Sequence, residues 1–511
     1  LAAWRGFFSA LLRHKQDHEI IIGVDRRASV PIFYARSGNW LLFAPEVKAL
    51  LAAPSLHMDV DVAAVATFLA QGHLLGDQTL FLSVRRLRGG QFLRIADGTV
   101  TLDTYWRFAP GSAAGGSSRD ELERELGELV EASAIRHLGD PARTMIFLSG
   151  GADSRGILGG ALTAVDGEGR RLNTITWGVD EGPADSDAAV AAAIARSVGT
   201  NHRFVHRQVC RYREDFARVN CLVDGLSEIA AYHPHEYEIM SSLRSEGIDR
   251  VLRGDEVFGW SVPATTYAGA LSLVMLRRLR DAQGLGPVIR PEYLGPFLDG
   301  SDGAIESALA EVRDLEPNEA KDYLYFSHRL QCYLQTASSF RQVEMDQRNV
   351  LLDEPILDFL ARVPATLRID KRLYRLAMTG RYPQLARFPT AKRHNLEDWD
   401  SLLAADTPVR AFAMDEVGDC SSRIWEYFDP IALRASLEAI ASSGRGKQAP
   451  RLRQRLKGAL KHAISLTSPW LLSRIQSRTS NRRTYHVDPD QLILRILVLK
   501  HWHETFVRSA P

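Results

Sequence analysis

Cysteine is scarce in this chain of 511 residues: there are four, Cys210, Cys221, Cys332 and Cys420, and none precedes residue 210. Their wide separation excludes a Cys-x-x-Cys metal motif and a paired disulfide framework, so a reducing, cytoplasmic compartment is the expectation. Charge of one sign is also lacking, because 63 Lys and Arg stand against 62 Asp and Glu for a net charge of +1. No overall field draws such a chain to nucleic acid, and a nucleic-acid partner is not expected. No apolar run has the length of a membrane-spanning helix, and no signal-peptide cleavage pattern follows the start. The first residue is Leu1 rather than Met, so a fragment, an engineered start or a numbering that omits residues is the expectation.

What is present suffices for real cores: 45% of the residues are hydrophobic, and the length predicts two or three domains. Up to about residue 107 the pattern is one of short strands, at Glu19 to Val24, Ile32 to Ala35, Trp40 to Phe43, Gln91 to Ile95 and Val100 to Leu102. Within it, Asp25-Arg26 and Glu46-Lys48 read by themselves as paired surface charges around a hairpin. A Gly-, Ser- and Ala-rich stretch at 111–119 reads as a linker between a domain at 1–110 and another at 120–511. Asp120 to His137 then has helical spacing, with Leu122, Leu126, Leu129 and Val130 on one face.

The chemistry is concentrated in Met145-Ile146-Phe147-Leu148-Ser149-Gly150-Gly151-Ala152-Asp153-Ser154. An apolar run, two adjacent glycines and a helical segment read as strand, anion loop and helix. The glycines let the backbone turn sharply toward an anion, Ser149 and Ser154 add hydroxyls, and the helix adds the positive end of its dipole. Asp153 would repel phosphate unless a cation such as Mg²⁺ lay between them, so a metal-bound polyphosphate is implied. A Walker A loop needs a Lys after a longer loop, and a dinucleotide fingerprint needs three spaced glycines; neither fits. Downstream, Leu172 to Gly178 reads as a strand, Asp187 to Val198 as a helix ending at Gly199, and Thr200 to Val205 as a further strand. Strands alternating with helices predict an α/β, doubly wound parallel sheet with its ligand at the carboxyl ends of the strands.

About 100 residues beyond the first loop comes Val251-Leu252-Arg253-Gly254-Asp255-Glu256-Val257-Phe258-Gly259-Trp260. The first loop together with this Asp-Glu-Val-Phe-Gly resembles the asparagine synthetase family, whose members split ATP between its α and β phosphates. The resemblance implies ATP and Mg²⁺, with Asp153 and Asp255 on the metal. It places ATP against Leu148, Ser149, Gly150, Gly151, Asp153, Ser154, Thr176 and Gly254. Val343 to Asp353 is similar to a family segment in which either Glu344 or Asp346 would take a carboxylate role. Lys392 falls where the family keeps a lysine that neutralises charge on the adenylate. The implied catalytic set is Asp153, Asp255, Glu344 and Lys392.

Gly23 to Arg27, Pro31 to Tyr34 and Phe43 to Leu50 look like the family's glutamine-hydrolysing domain, an α+β sandwich. That reaction needs a thiol nucleophile, and none lies before residue 210, so this domain is expected to be inactive or to lack its catalytic start. In asparagine synthetase a Glu before the second loop's Asp helps deprotonate ammonia. Leu252 occupies that place here and is no base. Macrolactam synthetases of the lasso-peptide type, in the same superfamily, often carry a Gly-Asp-Glu loop without that base and an Asp-Ser-Arg in the first loop, as in Asp153-Ser154-Arg155. The implied activity is therefore an ATP-dependent carbon–nitrogen ligase joining a precursor peptide's N-terminus to an Asp or Glu side chain. A leader-recognition protein and a leader protease would be its partners. Asparagine synthesis, a β-lactam-type ligase, an RNA-modifying ATP pyrophosphatase and a non-catalytic scaffold remain the alternatives.

The C-terminal part, from about residue 430, reads as helical and basic. Between Arg445 and Arg483 it has eleven Lys or Arg and no Asp or Glu, interleaved with Leu452, Leu456, Leu460, Ile464 and Leu466. Leu492 to Trp502 reads as a core helix packing back on the second domain.

Overall fold

The computed structural model describes residues 1–507 apart from 2, 17, 114, 260, 261, 286, 393–395 and 445–484. The basic stretch from Arg445 to Arg483 lies outside the described residues.

The N-terminal part forms β1 (Ser9–Arg13), β2 (Ile20–Val24), β3 (Phe33–Ser37), β4 (Trp40–Ala44), β5 (Val84–Arg86), β6 (Gln91–Ala96) and β7 (Thr99–Thr104). They make two antiparallel sheets, ordered β1-β2-β6-β7 and β4-β3-β5. Ile22, Val24 and Leu93 of one sheet meet Ile32, Tyr34 and Leu87 from the other, which makes a two-layer sandwich. The helices α1 (Val47–Leu50) and α2 (Val62–Gln71) follow β4. The strand pattern does not reveal β1 or β5, because both depend on pairing with a partner rather than on strong alternation of their own.

Of the charged pairs read as surface features, Asp25-Arg26 is buried, whereas Glu46 and Lys48 are part-exposed and pair with each other at 3.1 Å. Asp25 is buried and accepts from the backbone N–H groups of Phe8 (3.0 Å), Arg27 (2.8 Å) and Ser29 (3.1 Å), folding the turn after β2 around one carboxylate. Arg26 reaches Asp358 (2.5 Å), and the Arg27 guanidinium lies 3.9 Å from the centre of the Phe7 ring. Lys48 donates to Asp224 (3.1 Å), which also accepts the Val47 N–H (2.8 Å). These charges tie the sandwich to the rest of the chain. The 111–119 stretch is tied likewise, with Gly111 N–H donating to Leu360 O (3.1 Å) and Ala113 N–H to Ala361 O (2.9 Å).

The second part supplies β8 (Thr144–Phe147), β9 (Asn173–Gly178), β10 (Asn201–His206), β11 (Arg250–Arg253), the short β12 (Ala282–Gln283), β13 (Asp346–Asn349) and the short β14 (Tyr485–His486). β12 pairs with β14, and the other five strands form a parallel sheet ordered β10-β9-β8-β11-β13. Its first helices are α3 (Arg119–Leu138), α4 (Ala152–Ala164), α5 (Asp187–Val198), α6 (Tyr212–Leu222), α7 (Ile229–Tyr232) and α8 (Glu236–Ser245). Local chemistry sets their ends. Ser118 and Glu121 make a capping box on α3, Ser186 caps α5, and Gly199 closes α5 in the left-handed region at φ 72°.

Both faces of this sheet are covered. α3, α4 and α5 cover one with Leu126, Val130, Ile157, Leu158 and Ile194, and Met240 and Leu243 of α8 meet Met145, Ile175 and Val251 on the other. From β8 the chain steps to β9 and β10 on one side, then returns to β11 and β13 on the other. The sequence order reverses between β8 and β11, and a crevice at their carboxyl ends is where such sheets hold ligands.

The helix Pro489–Phe506 is buried nearly all round. It packs on the second part, as the pattern predicts, and also on α2 and the chain near it. Trp502 meets Phe81 at 5.1 Å, and Arg495 donates to Leu69 O (2.8 Å) and to Glu228 (2.6 Å). Among the described residues no helix is long and apolar enough to cross a membrane. Gly72, at φ 74°, ends α2 so close to Glu228 that an added Cβ would stand 2.1 Å from its Cδ. Gly72→Ala is expected to destabilise the protein by about 2–4 kcal/mol, through left-handed strain and displacement of the carboxylate from buried Arg495. The urea midpoint measures this, and an unchanged midpoint would mean that Glu228 relocates without cost.

Candidate functional site

The loop between β8 and α4 stands in that crevice. Its hydrogen bonding corrects one expectation, because the loop's own N–H groups do not face outward as an anion cradle. Ser149 N–H donates to Ser154 Oγ (3.0 Å), Gly150 N–H to Asp187 Oδ1 (3.0 Å) and Gly151 N–H to Ser149 Oγ (3.1 Å). These bonds hold the loop rigid. The N-cap residue Gly151 has no side chain to cap α4, so the anion-binding capacity resides in the first turn of this 13-residue helix and the nearby serine hydroxyls. Leu148 is buried, and its carbonyl accepts the Thr176 hydroxyl, so Thr176 holds β9 to the loop.

The second loop follows β11 and closes on the first. Gly254 makes this approach possible: a Cβ there would lie 3.3 Å from Ile157 Cδ1 and 3.4 Å from Asp153 Cβ. Asp153, Asp255 and Glu256 thereby converge. Their common field is felt by Tyr325, whose hydroxyl is pushed well above its ordinary value by burial and then by Glu256, Asp255 and Asp153. Leu252, in contrast, is fully buried within β11 and directs nothing into the crevice.

Sequence reasoning missed the cation at the centre of this group. Lys371 Nζ donates to Asp153 Oδ2 (2.7 Å) and lies 2.8 Å from Glu256 Oε1. Glu256 also accepts the Phe258 N–H (2.6 Å). Burial pulls the Lys371 ammonium down, but Glu256 and Asp153 outweigh it and hold it well above its ordinary value. The Glu256 carboxyl is pushed up by burial, with Asp153 adding to this and Lys371 opposing it. Asp370 and Lys371 both sit in the left-handed region, at φ 50° and 56°, which costs non-glycine residues roughly 1–3 kcal/mol each. The turn persists because Gly259 O accepts the Lys371 N–H (3.2 Å) and buried Arg368 pairs with Asp322 (3.0 Å). No motif marks Lys371 in the sequence; only the structure brings it to Asp153.

The residues fit a hard divalent cation. Asp153 Oδ1 and Asp255 Oδ2 are buried and accept no hydrogen bond among the described residues, and carboxylate oxygens of this kind are the donors Mg²⁺ takes. Arg253 Nε stands 3.0 Å from Asp255 Oδ2 and balances part of its charge.

Lys392 lies beside the first loop. Ala391 N–H donates to Gly150 O (3.1 Å), Lys392 N–H donates to Asp185 O (3.0 Å), and the Lys392 side chain is exposed. Arg155 binds the same segment to the loop, donating to Gly150 O (2.9 Å), Phe388 O (2.6 Å) and Pro389 O (2.5 Å). Glu344 is not brought to the site. It precedes the amino end of β13 and accepts from Tyr237 (2.7 Å), whereas the loops stand at the carboxyl ends. Asp346, the other candidate, begins β13 opposite Arg250 and pairs with Arg250 (3.0 Å) and Arg348 (2.7 Å) at that same far edge.

The family model described as asparagine synthase matches residues 125–460, and one described as a glutamine amidotransferase domain matches residues 1–106. The chain belongs to the asparagine synthase family. It is 28% identical over 153 residues to asparagine synthetase [glutamine-hydrolyzing] 1 of Bacillus subtilis (strain 168), covering 29% of this chain and 23% of that protein. It is 31% identical over 206 residues to a putative asparagine synthetase [glutamine-hydrolyzing] of Mycobacterium tuberculosis (strain ATCC 25618 / H37Rv), covering 39% of this chain and 30% of that protein. The chain thus spans less than a third of the length of each of these curated relatives.

Lys371→Met removes the counter-charge between Asp153 and Glu256 and is expected to cost about 3 kcal/mol at pH 8. A carboxyl whose folded value is raised loses stability as pH climbs through that value, and losing Lys371 raises Glu256 further. The deficit against wild type should therefore be smaller at pH 5 than at pH 8. Thermal unfolding at the two pH values checks this, and a deficit that grows on acidification would contradict it.

Proposed function

We propose that this chain is an ATP-dependent amide ligase that adenylates a carboxylate, releases pyrophosphate and joins the acyl group to an amine, in keeping with its place in the asparagine synthase family. The observation that carries the reading is the convergence of Asp153, Glu256 and Lys371 beside the uncapped start of α4. The helix start and the hydroxyls of Ser149 and Ser154 receive the β and γ phosphates. Asp153 and Asp255 would hold Mg²⁺, which when bound supplies charge neutralisation on the polyphosphate. Lys371 is fixed between two carboxylates and holds its ammonium toward the same anion. Lys392, on the segment strapped to Gly150, stabilises the charge that develops at the α-phosphate. Alignment of the carboxylate with the α-phosphate does most of the remaining work, because little covalent chemistry falls to the protein.

The favoured substrate is a precursor peptide, closed by an isopeptide bond between its N-terminus and an Asp or Glu side chain. Two features support an amine larger than ammonia. Leu252 lies in the core of β11, so no side chain at that position acts as a base on a small nucleophile. The sandwich at 1–106 is fastened to the ligase part by Arg26 on Asp358 and Lys48 on Asp224, which suits a scaffold. A leader-recognition protein and a leader protease would act beside it.

Incubation with ATP and a candidate core peptide is expected to yield AMP, pyrophosphate and a product lighter by one water. Release of ADP, or glutamine-dependent asparagine formation, would overturn this reading. Asp255→Asn is expected to slow ATP–pyrophosphate exchange by at least about 100-fold, as loss of one preorganised charge partner does at such sites; exchange near the wild-type rate would remove Asp255 from the site.

A further inference from the structure

A cavity of about 200 Å³ lies between the sandwich and the ligase part and shares no residue with the two loops. Its apolar walls come from Pro31, Phe33 and Pro45 on one side and from Leu222, Val223 and Leu226 on the other. Two amides hold the walls together, Gln335 donating to Ala28 O (2.6 Å) and Gln342 to Ser29 O (3.0 Å). The joint itself thus forms the cavity. An apolar cavity of about 150 Å³ already admits a benzene ring, so this one holds a molecule of that size with a polar group attached.

Arg86 supplies the polar contact. It is the last residue of β5, stands opposite Phe33 of β3 in the sheet register, lines the cavity and is only 7% exposed. Its Nη1 donates to Thr336 Oγ1 (3.0 Å), and no carboxylate pairs with it among the described residues. Burial pulls the guanidinium's value down, Cys332 opposes this and Arg88 adds to it. Neither neighbour balances the charge. Burial pushes the Cys332 thiol up, which keeps it neutral, and Arg88 is itself a cation matched by Glu311 (2.7 Å). A buried guanidinium with no opposite charge is costly, and an anion entering the cavity would relieve that cost. The cavity also has two carboxylates, Glu46 and Asp224, but both are gathered on Lys48, whose Nζ stands 3.1 Å from each. They are not among the charges that act on Arg86, so the cavity has a cationic end and a separate acidic end.

We propose that this cavity binds a small organic monocarboxylate, its carboxylate on Arg86 and its apolar body between the sandwich and the ligase part. The guanidinium fork matches a carboxylate in shape and charge, and with Nη1 held by Thr336 its Nε and Nη2 serve the ligand. The acidic end selects for one carboxylate rather than two, because a second would meet Glu46 and Asp224. This site stands apart from the ligase chemistry, and its test uses neither ATP nor the two loops.

Isothermal titration of the full chain at neutral pH with benzoate and with its uncharged counterpart benzamide tests the proposal. Benzoate is expected to bind at least about 10-fold more tightly than benzamide, the order by which a charge-assisted pair exceeds a neutral one. Arg86→Met should weaken benzoate at least about 10-fold and leave benzamide within about 2-fold of wild type. Equal affinity of wild type for the two probes, or no binding of benzoate, would overturn the proposal, and neither result depends on whether the variant folds. Benzoate bound by Arg86→Met as tightly as by wild type would place its site elsewhere on the molecule and overturn it as well. Displacement of benzoate by an equal concentration of chloride would mean that a simple anion suffices and that the apolar walls take no part, which would overturn the choice of an organic acid.

Discussion

The ion group formed by Lys371 with Asp153 and Glu256 is the interaction on which the site's architecture depends. The two carboxylates hold the buried Lys371 ammonium above its ordinary value, and the ammonium in turn opposes the burial that pushes Glu256 up. The group also sets geometry. Asp153 belongs to α4, Glu256 to the loop after β11, and Lys371 to a strained turn more than 100 residues further on. One cation therefore draws three separate pieces of chain to the same point.

That point is available because of the sheet. The reversal of strand order between β8 and β11 leaves a crevice at their carboxyl ends, and the two loops bordering it belong to these neighbouring strands. Gly254 then matters for what it omits, since a Cβ there would press against Ile157 and Asp153 of α4. The glycines of the first loop act differently. Gly150 lies within reach of Ala391, so its missing side chain admits the Lys392 segment rather than an anion.

How much of this the sequence reveals depends on the distance over which each feature is determined. The loop from Ser149 to Ser154 and the helix from Asp187 to Val198 are legible because their signals, paired glycines and a Ser/Gly pair of caps, lie within a few residues. Asp255 is legible through order and spacing. Lys371 is not, because its role arises from a contact with a residue 218 positions away, and its turn uses Asp and Lys in a conformation that usually announces itself through glycine. Glu344 and Asp346 lie at the edge opposite the loops, because sequence similarity does not say at which edge of the sheet a strand begins. Asp25 is a similar case: a carboxylate that folds its own turn looks, in one dimension, like any surface charge.

The helix Pro489–Phe506 has a consequence for how the molecule is made. Its residues fill a core that also contains Phe68 and Phe81, laid down more than 400 positions earlier. Until that helix has been made, the core around Phe81 lacks Trp502, although α2 already has the helix Pro291–Ala310 to pack on. Such long-range closure is slow to form, so shortening the chain at the C-terminal end is expected to loosen the packing around Phe68 and Phe81 as well.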